Sequence, residues 1–240
     1  MCTVSWLVED NDYHVFFNRD EQRSRSLAIP PQVINIEKTQ ALMPIDPDGN
    51  GSWISTNEFG LTLCLLNYYQ GSKPQGVLIS RGLLLKSLSA FSTVESINQQ
   101  LQKLSLYQYA SFSLLAFGLN ESGQVTQQTW QWDGKELIVI GLTSPFTSSS
   151  VKFDEVSLSR LSLAKQLPTP LTVNALIEYH QSHEPEKGYL SVCMHRDDAK
   201  SVSFSHIHVG VDKTVFNYKN GTPCSSEMSD VLVLKRGEVA

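Results

Sequence analysis

The sequence predicts an α+β fold in which pairs of helices cover antiparallel sheets. Three observations carry this expectation. Stretches rich in β-formers come in blocks, most neighbouring stretches are joined by turn signals short enough for hairpins, and the helical patterns come in two pairs. A parallel βαβ design would alternate each strand with a helix instead. The 240 residues suffice to bury a large core, and no repeat, low-complexity tract or clear linker interrupts them. We therefore expect one domain over residues 1–240.

The elements follow in order. Residues 2–8 and 14–18 read as a hairpin, because "EDNDY" between them is a turn-forming cluster. Pro30 and Pro31, then "MPIDPDGNG", read as a loop-rich segment with little periodicity. "GSWISTNEFGLTLCLLNYYQG" gives two strands around an "NEFG" turn. Residues 80–88 and 94–103 are expected helices, the second announced by Ser92 and Glu95 at capping-box spacing. Strands follow at 111–119, 124–132 and 136–140, joined by "NESG" and "DG" turns. A second helix pair is expected at 154–166 and 173–182, with Thr172 as N-cap of the latter. Strands at 190–195, 201–209, 214–218 and 231–234 complete the series.

Composition excludes some classes of function. A hydrophobic content of 41% and a charged content of 18% are ordinary for a globular chain. The net charge of -5 argues against a nucleic-acid partner, which would need clustered Lys and Arg. The densest basic group, Arg19, Arg23 and Arg25, is interleaved with Asp20 and Glu21. No apolar run is long enough to span a bilayer, so no integral membrane segment is expected. The acidic start lacks the basic n-region of a signal peptide, and we expect a cytoplasmic location. Cys2, Cys64, Cys193 and Cys224 contain no CxxC pair and are expected to be free thiols. Cys64 in "LTLCLL" and Cys193 in "LSVCM" fit buried, small hydrophobes.

Cys2 needs a separate account. Removal of Met1 would place a thiol and a free α-amine on one residue. An α-amine has a pKa of about 7.7 to 8.0, so part of it is neutral near pH 7. It can take the thiol proton and return it to an amine leaving group, so nucleophile and base come from one residue. Downstream, "NRDE" places polar residues at the end of the second strand. Strand alternation puts Asn18 and Asp20 on one face and Arg19 on the other. A carboxylate at Asp20 would orient the amine, and Arg19 would favour the thiolate.

These residues resemble a known family. "MCTVSW" followed by "FFNRDEQRSR" is similar to the NRDE family, whose animal members are transport-and-Golgi-organisation proteins. The likeness continues through "GSWISTNEFGLTLCLLNYY", "GLTSPF" and "CMHRDDAKSVSFSHIHV", so it covers nearly the whole chain. That family is grouped with the N-terminal nucleophile hydrolases, which implies a four-layer αββα sandwich. A more distant likeness is to bile-salt hydrolases and penicillin V acylases, which also begin Met-Cys-Thr. It implies Arg19 beside the thiol and Asp20 beside the amine, although those enzymes separate the two residues. "NEFGLTLCLLNYY" is similar to the segment that supplies their oxyanion-hole asparagine, which points to Asn67. "LTSPF" resembles the place of a second catalytic asparagine, where Ser144 now stands with one hydroxyl donor. "LSRLSL" is similar to a segment with a further site arginine, here Arg160. Cys2, Arg19, Asp20 and Asn67 are thus the expected catalytic residues, and Asn18, Ser144 and Arg160 the expected substrate-binding ones.

Other polar groups carry less. His180 and His183 in "YHQSH", Cys193 and His195 in "CMH", and the pair His206 and His208 are conceivable metal ligands. Their spacing matches no standard zinc pattern, so we expect no metal. No phosphate-loop spacing exists either. Two functions follow as expectations. The first is a hydrolase that needs no cofactor and cleaves a linear C–N amide of a small-molecule substrate through a thioester. The second is a non-enzymatic haem or lipid carrier on a hydrolase-like fold, with His14, His195, His206 and His208 as candidate haem contacts.

Overall fold

The computed structural model describes residues 1–72, 74, 76–120, 122–225 and 230–237. Six strands and a helix pair lead the chain: β1 (Cys2–Val8), β2 (Tyr13–Gln22), β3 (Ile29–Ile36), β4 (Thr39–Ile45), β5 (Ile54–Asn57), β6 (Thr62–Asn67), α1 (Arg81–Leu88) and α2 (Val94–Lys103). Then come β7 (Phe112–Leu119), β8 (Val125–Trp132), β9 (Leu137–Ile140), β10 (Phe146–Ser148), α3 (Phe153–Ala164) and α4 (Val173–Gln181). The last strands are β11 (Ala199–Val209), β12 (Lys213–Asn220) and β13 (Asp230–Lys235). Among the described residues they build two antiparallel sheets, ordered β10-β1-β2-β11-β12-β13 and β3-β4-β5-β6-β7-β8-β9. No helix is long and apolar enough to cross a membrane among the described residues.

The layers follow from period-two alternation. Val4 and Trp6 of β1 and Val15 and Phe17 of β2 point between the sheets, where they meet Leu42, Ile54, Cys64, Leu115 and Phe117 of the other sheet. The outer face of the seven-stranded sheet presents Leu63, Leu65, Leu114 and Trp130 to Leu84, Leu85 and Leu88 of α1 and Ile97 and Leu101 of α2. On the other side, Phe16 and Phe204 pack against Leu176 of α4. The result is a four-layer αββα sandwich, as the family resemblance implied and in agreement with the strand blocks and helix pairs.

Several elements differ from expectation for physical reasons. Residues 29–45 form the hairpin β3–β4 rather than a loop. Proline cannot donate to a ladder, and Pro30 and Pro31 are accommodated because β3 is an edge strand whose register shifts between Ile29 and Gln32. The short strand β10 was not anticipated either. Residues 190–195 are not a strand; they run as an irregular segment with one isolated bridge, His195 to Lys200. Its backbone groups bond elsewhere: Cys193 N–H donates to the Ser182 carbonyl (3.0 Å), and His195 N–H to that of Gly188 (3.1 Å). The capping box of α2 uses Thr93 and Ser96 rather than Ser92 and Glu95, while Thr172 caps α4 as expected.

Candidate active site

Cys2 opens β1 between two neighbours, Arg19 on β2 and Ser148 on β10. Above it lies a cavity of about 410 Å³, reaching to the N-terminal turn of α1 and lined among others by Cys2, Arg19, Trp53, Asn67, Tyr69 and Arg81. β2 continues through the charged residues to Gln22 because β11 pairs with its whole length. Arg19 stands directly opposite Cys2 and is 5% exposed. Its guanidinium lies 4.0 Å from the centre of the Trp53 ring and 3.3 Å from Glu21 Oε2.

Alternation sends Asn18 and Asp20 to the opposite face, under α3 and α4. Asp20 Oδ1 accepts a 2.5 Å hydrogen bond from Ser201 Oγ, and Oδ2 lies 3.6 Å from the Arg160 guanidinium. Both side chains of that ion pair are fully buried. Arg160 also donates to Thr3 Oγ1, and its carbonyl accepts from Tyr179 Oη at 3.1 Å. The register of β11 shifts between Ser201 and Ser203, beside Asp20, as bulges often do next to sites. Burial raises the Asp20 carboxyl, against the opposing pull of Arg160 and the amino terminus.

Asp20 also touches the chain start through its backbone. Its carbonyl accepts from the Met1 amine at 3.2 Å, and its N–H donates to the Met1 carbonyl at 2.9 Å. The Met1 amine also donates to Tyr69 Oη at 3.3 Å, as does Asn67 Nδ2 at 3.1 Å. Both lone pairs of that hydroxyl are then engaged, which leaves its own hydrogen for another acceptor. Met1 covers one side of the site, with its side chain packed among Val156, Met194 and Ala199.

Arg19 favours the thiolate as expected, but the thiol is not preset in that form. Burial pushes the Cys2 thiol up and the Asp20 charge adds to the rise, while the amino terminus and Arg19 pull it down without cancelling. Proton removal therefore needs a base at the moment of attack.

Three expected residues thus surround Cys2: Arg19 and Asn67 by side chain, and Met1-bound Asp20 by backbone. The other three do not line the cavity. Asn18 donates to the carbonyls of His180 (2.8 Å) and Val192 (3.0 Å), tying β2 to the segment after α4. Ser144 receives the Trp6 N–H at 3.4 Å, farther along β1, and Ser148 instead stands opposite Cys2. Arg160, expected to bind substrate, is buried beneath β1 instead. Among the lining residues that the sequence did not single out are Trp53, Tyr69 and Arg81. Tyr69 was within reach, two residues after Asn67. Arg81 comes to the cavity because α1 packs onto the loop at Gly51, where a Cβ would overlap the Gly82 backbone. Its guanidinium donates to the Ser111 carbonyl at 2.8 Å, and burial lowers its pKa. Among the described residues, no carboxylate forms an ion pair with Arg81.

The family model described as Transport and Golgi organisation 2 matches residues 1–212. No functionally curated protein matches the sequence. Among solved structures, an arginine-to-leucine variant of conjugated bile acid hydrolase from Clostridium perfringens is similar, with a TM-score of 0.52 and 14% identity. That match covers 98% of this chain and 97% of the hydrolase. A cysteine-to-alanine mutant of the same hydrolase gives a TM-score of 0.48 at 14% identity, over 99% and 97% of the two chains. The first of these likenesses shows a shared fold.

Proposed function

The chain belongs to the transport and Golgi organisation 2 family, and from that premise we propose an N-terminal cysteine hydrolase that cleaves a linear C–N amide bond after Met1 is removed. One observation carries the reading: the sole thiol in the cavity, Cys2, sits at the head of a strand with Arg19 opposite and the Asn67 amide and Tyr69 hydroxyl on the same cavity wall. In the structure the Cys2 nitrogen is an amide and cannot act as a base. Removal of Met1 frees it as an amine beside Asp20.

The neutral amine then takes the thiol proton as sulfur attacks the substrate carbonyl carbon. Negative charge gathers on the carbonyl oxygen, where Asn67 Nδ2 and the free Tyr69 hydrogen are suitable donors. Collapse breaks the C–N bond, the leaving nitrogen takes the proton, and a thioester to Cys2 remains. Water attacks that thioester and gives a proton to the amine, the C–S bond breaks to release the carboxylic acid, and the amine returns the proton to the Cys2 sulfur. Arg19 stabilises the sulfur anion on the way, and Arg160 positions Asp20 without touching substrate.

A haem or lipid carrier has less support. Neither His14, His195, His206 nor His208 lines this cavity, so it offers no imidazole to a haem iron. The test is a screen of simple acyl amides with Met1-free wild type beside Cys2→Ala. We expect turnover by the wild type and a Cys2 thioester caught on acid quenching by intact mass. Equal turnover by both proteins would remove Cys2 from the mechanism.

A further inference from the structure

On the far side of the six-stranded sheet from the cavity, the fold brings three side chains of the α4–β11 connection together with one from much later in the chain. His183 follows α4, Cys193 and His195 lie on the irregular segment before β11, and Cys224 sits in the connection from β12 to β13. His195 Nε2 is at the centre of the group, 3.2 Å from His183 Nε2 and 3.5 Å from each of Cys193 Sγ and Cys224 Sγ. All four donor atoms lie within 4.8 Å of one another.

Those separations can be set against the geometry of a metal. Zinc binds thiolate sulfur at about 2.3 Å and imidazole nitrogen at about 2.0–2.1 Å in a tetrahedron. Tetrahedral angles then put nitrogen about 3.3 Å from nitrogen and about 3.6 Å from sulfur. The observed 3.2 and 3.5 Å agree with both. We propose that His183, Cys193, His195 and Cys224 form a closed tetrahedral site for a structural zinc ion. Two thiolates and two imidazoles suit zinc over harder cations such as magnesium or calcium, which take oxygen. Four protein ligands leave no position open for substrate, so the ion holds structure rather than doing chemistry.

The site has something to hold. The irregular segment has no ladder of its own, yet it buttresses the candidate active site. Its Val192 carbonyl receives Asn18, and its Met194 N–H donates to Ser201 Oγ (2.8 Å), the hydroxyl that in turn bonds Asp20. A metal joining this segment to α4 and to the β12–β13 connection would fix the floor beneath Asp20. The expectation of no metal rested on ligand spacing along the chain: His183, Cys193 and His195 share the α4–β11 connection, but the fourth ligand, Cys224, comes from the β12–β13 connection and no spacing rule joins it to them. A second cluster, Asp12, His14 and His208, offers only three donors.

Metal analysis of the untagged full chain, grown with zinc and dialysed against metal-free buffer, tests this. We expect about one zinc per chain in wild type, and close to none in Cys224→Ser. Cys224 is exposed, so its replacement leaves the core packing intact. Replacing zinc with Co(II) in the wild type should give a thiolate-to-cobalt band in the near ultraviolet and visible bands of tetrahedral intensity, and both should be absent from Cys224→Ser. His208→Asn should keep its zinc. Zinc-free wild type that also gives no thiolate band with added Co(II) would overturn the proposal. So would zinc that is lost with His208 but retained without Cys224, or a Cys193–Cys224 disulfide in freshly isolated, metal-free protein.

Discussion

Asp20 and Arg160 form an ion pair at 3.6 Å in which neither side chain touches solvent, directly beneath the strand that begins with Cys2. A buried pair adds little net stability compared with apolar residues, but removing one member strands the other charge. The Arg160→Met variant should therefore lose about 3–5 kcal/mol in urea unfolding near neutral pH. The double variant Asp20→Asn with Arg160→Met should lose clearly less than the two single changes summed. Additive losses would mean that the two side chains do not act as a pair.

Met1 makes a different contribution. It is 8% exposed and packs among Val156, Met194 and Ala199. Losing that side chain should cost about 2 kcal/mol, at the low end for a buried methionine because the chain end can relax. The processed protein should thus be the less stable form, and also the one that turns over amides. Thermal unfolding of samples with and without Met1, each verified by intact mass, checks the first half. A processed form of equal stability would show that the Met1 side chain is not held.

How much of this was legible beforehand depends on what kind of order each residue obeys. The β1–β2 hairpin and the division of Asn18 and Asp20 from Arg19 follow from period two, a local rule, and both stand in the structure. The reach of β2 to Gln22 was not legible, because charged residues depress strand propensity and only pairing with β11 overrides it. The hairpin of residues 29–45 was hidden by Pro30 and Pro31, whose tolerance depends on an edge position that topology decides. Ser148 rather than Ser144 faces Cys2 because pairing with the unanticipated β10 sets that register. Arg81 and Trp53 reach the cavity through packing between layers, which leaves no periodic trace in sequence.

Acid should expose the histidine stack between β2 and β11. His14 Nδ1 lies 3.0 Å from His206 Nε2, and both residues are under a tenth exposed. Burial lowers His14 to about 4 and His206 to about 3, with each also facing His208. The remaining groups around them are Asp12, which pairs with His208 at 3.0 Å and favours the charged form of His14, and the neutral His180 across the helix face. An unfolded histidine titrates near 6.5, so between there and about 4 the unfolded chain binds more protons. Stability is then full above pH 6.5 and falls as pH drops, by about 2 kcal/mol per histidine at pH 5. Urea midpoints at pH 7 and pH 5 measure the fall, which should be shallower in His206→Gln. An unchanged slope in that variant would place the acid sensitivity elsewhere.

Arg81 leads to a prediction about the kind of amide. It reaches the cavity from the first turn of α1, bonded to the Ser111 carbonyl and without a carboxylate partner among the described residues. Arg19, by contrast, is shared with Glu21 and Asp46. A partly buried guanidinium left unneutralised stays costly until an anion arrives, and its planar fork fits a carboxylate in two bonds. Substrates carrying a carboxylate or similar anion away from the scissile amide should be preferred over neutral analogues of equal size. Arg81→Gln should raise KM for the anionic substrate about tenfold or more, since charged hydrogen bonds are worth roughly 1.5–3 kcal/mol, and leave kcat within a few-fold. The neutral analogue should hardly notice the change, because the lost interaction never existed for it. Equal rises in KM for both substrates would mean that Arg81 shapes the cavity wall without reading charge. A fall in kcat alone would place Arg81 in the chemical step, at the oxyanion or the thiolate, and would call for reassigning the donors now given to Asn67 and Tyr69.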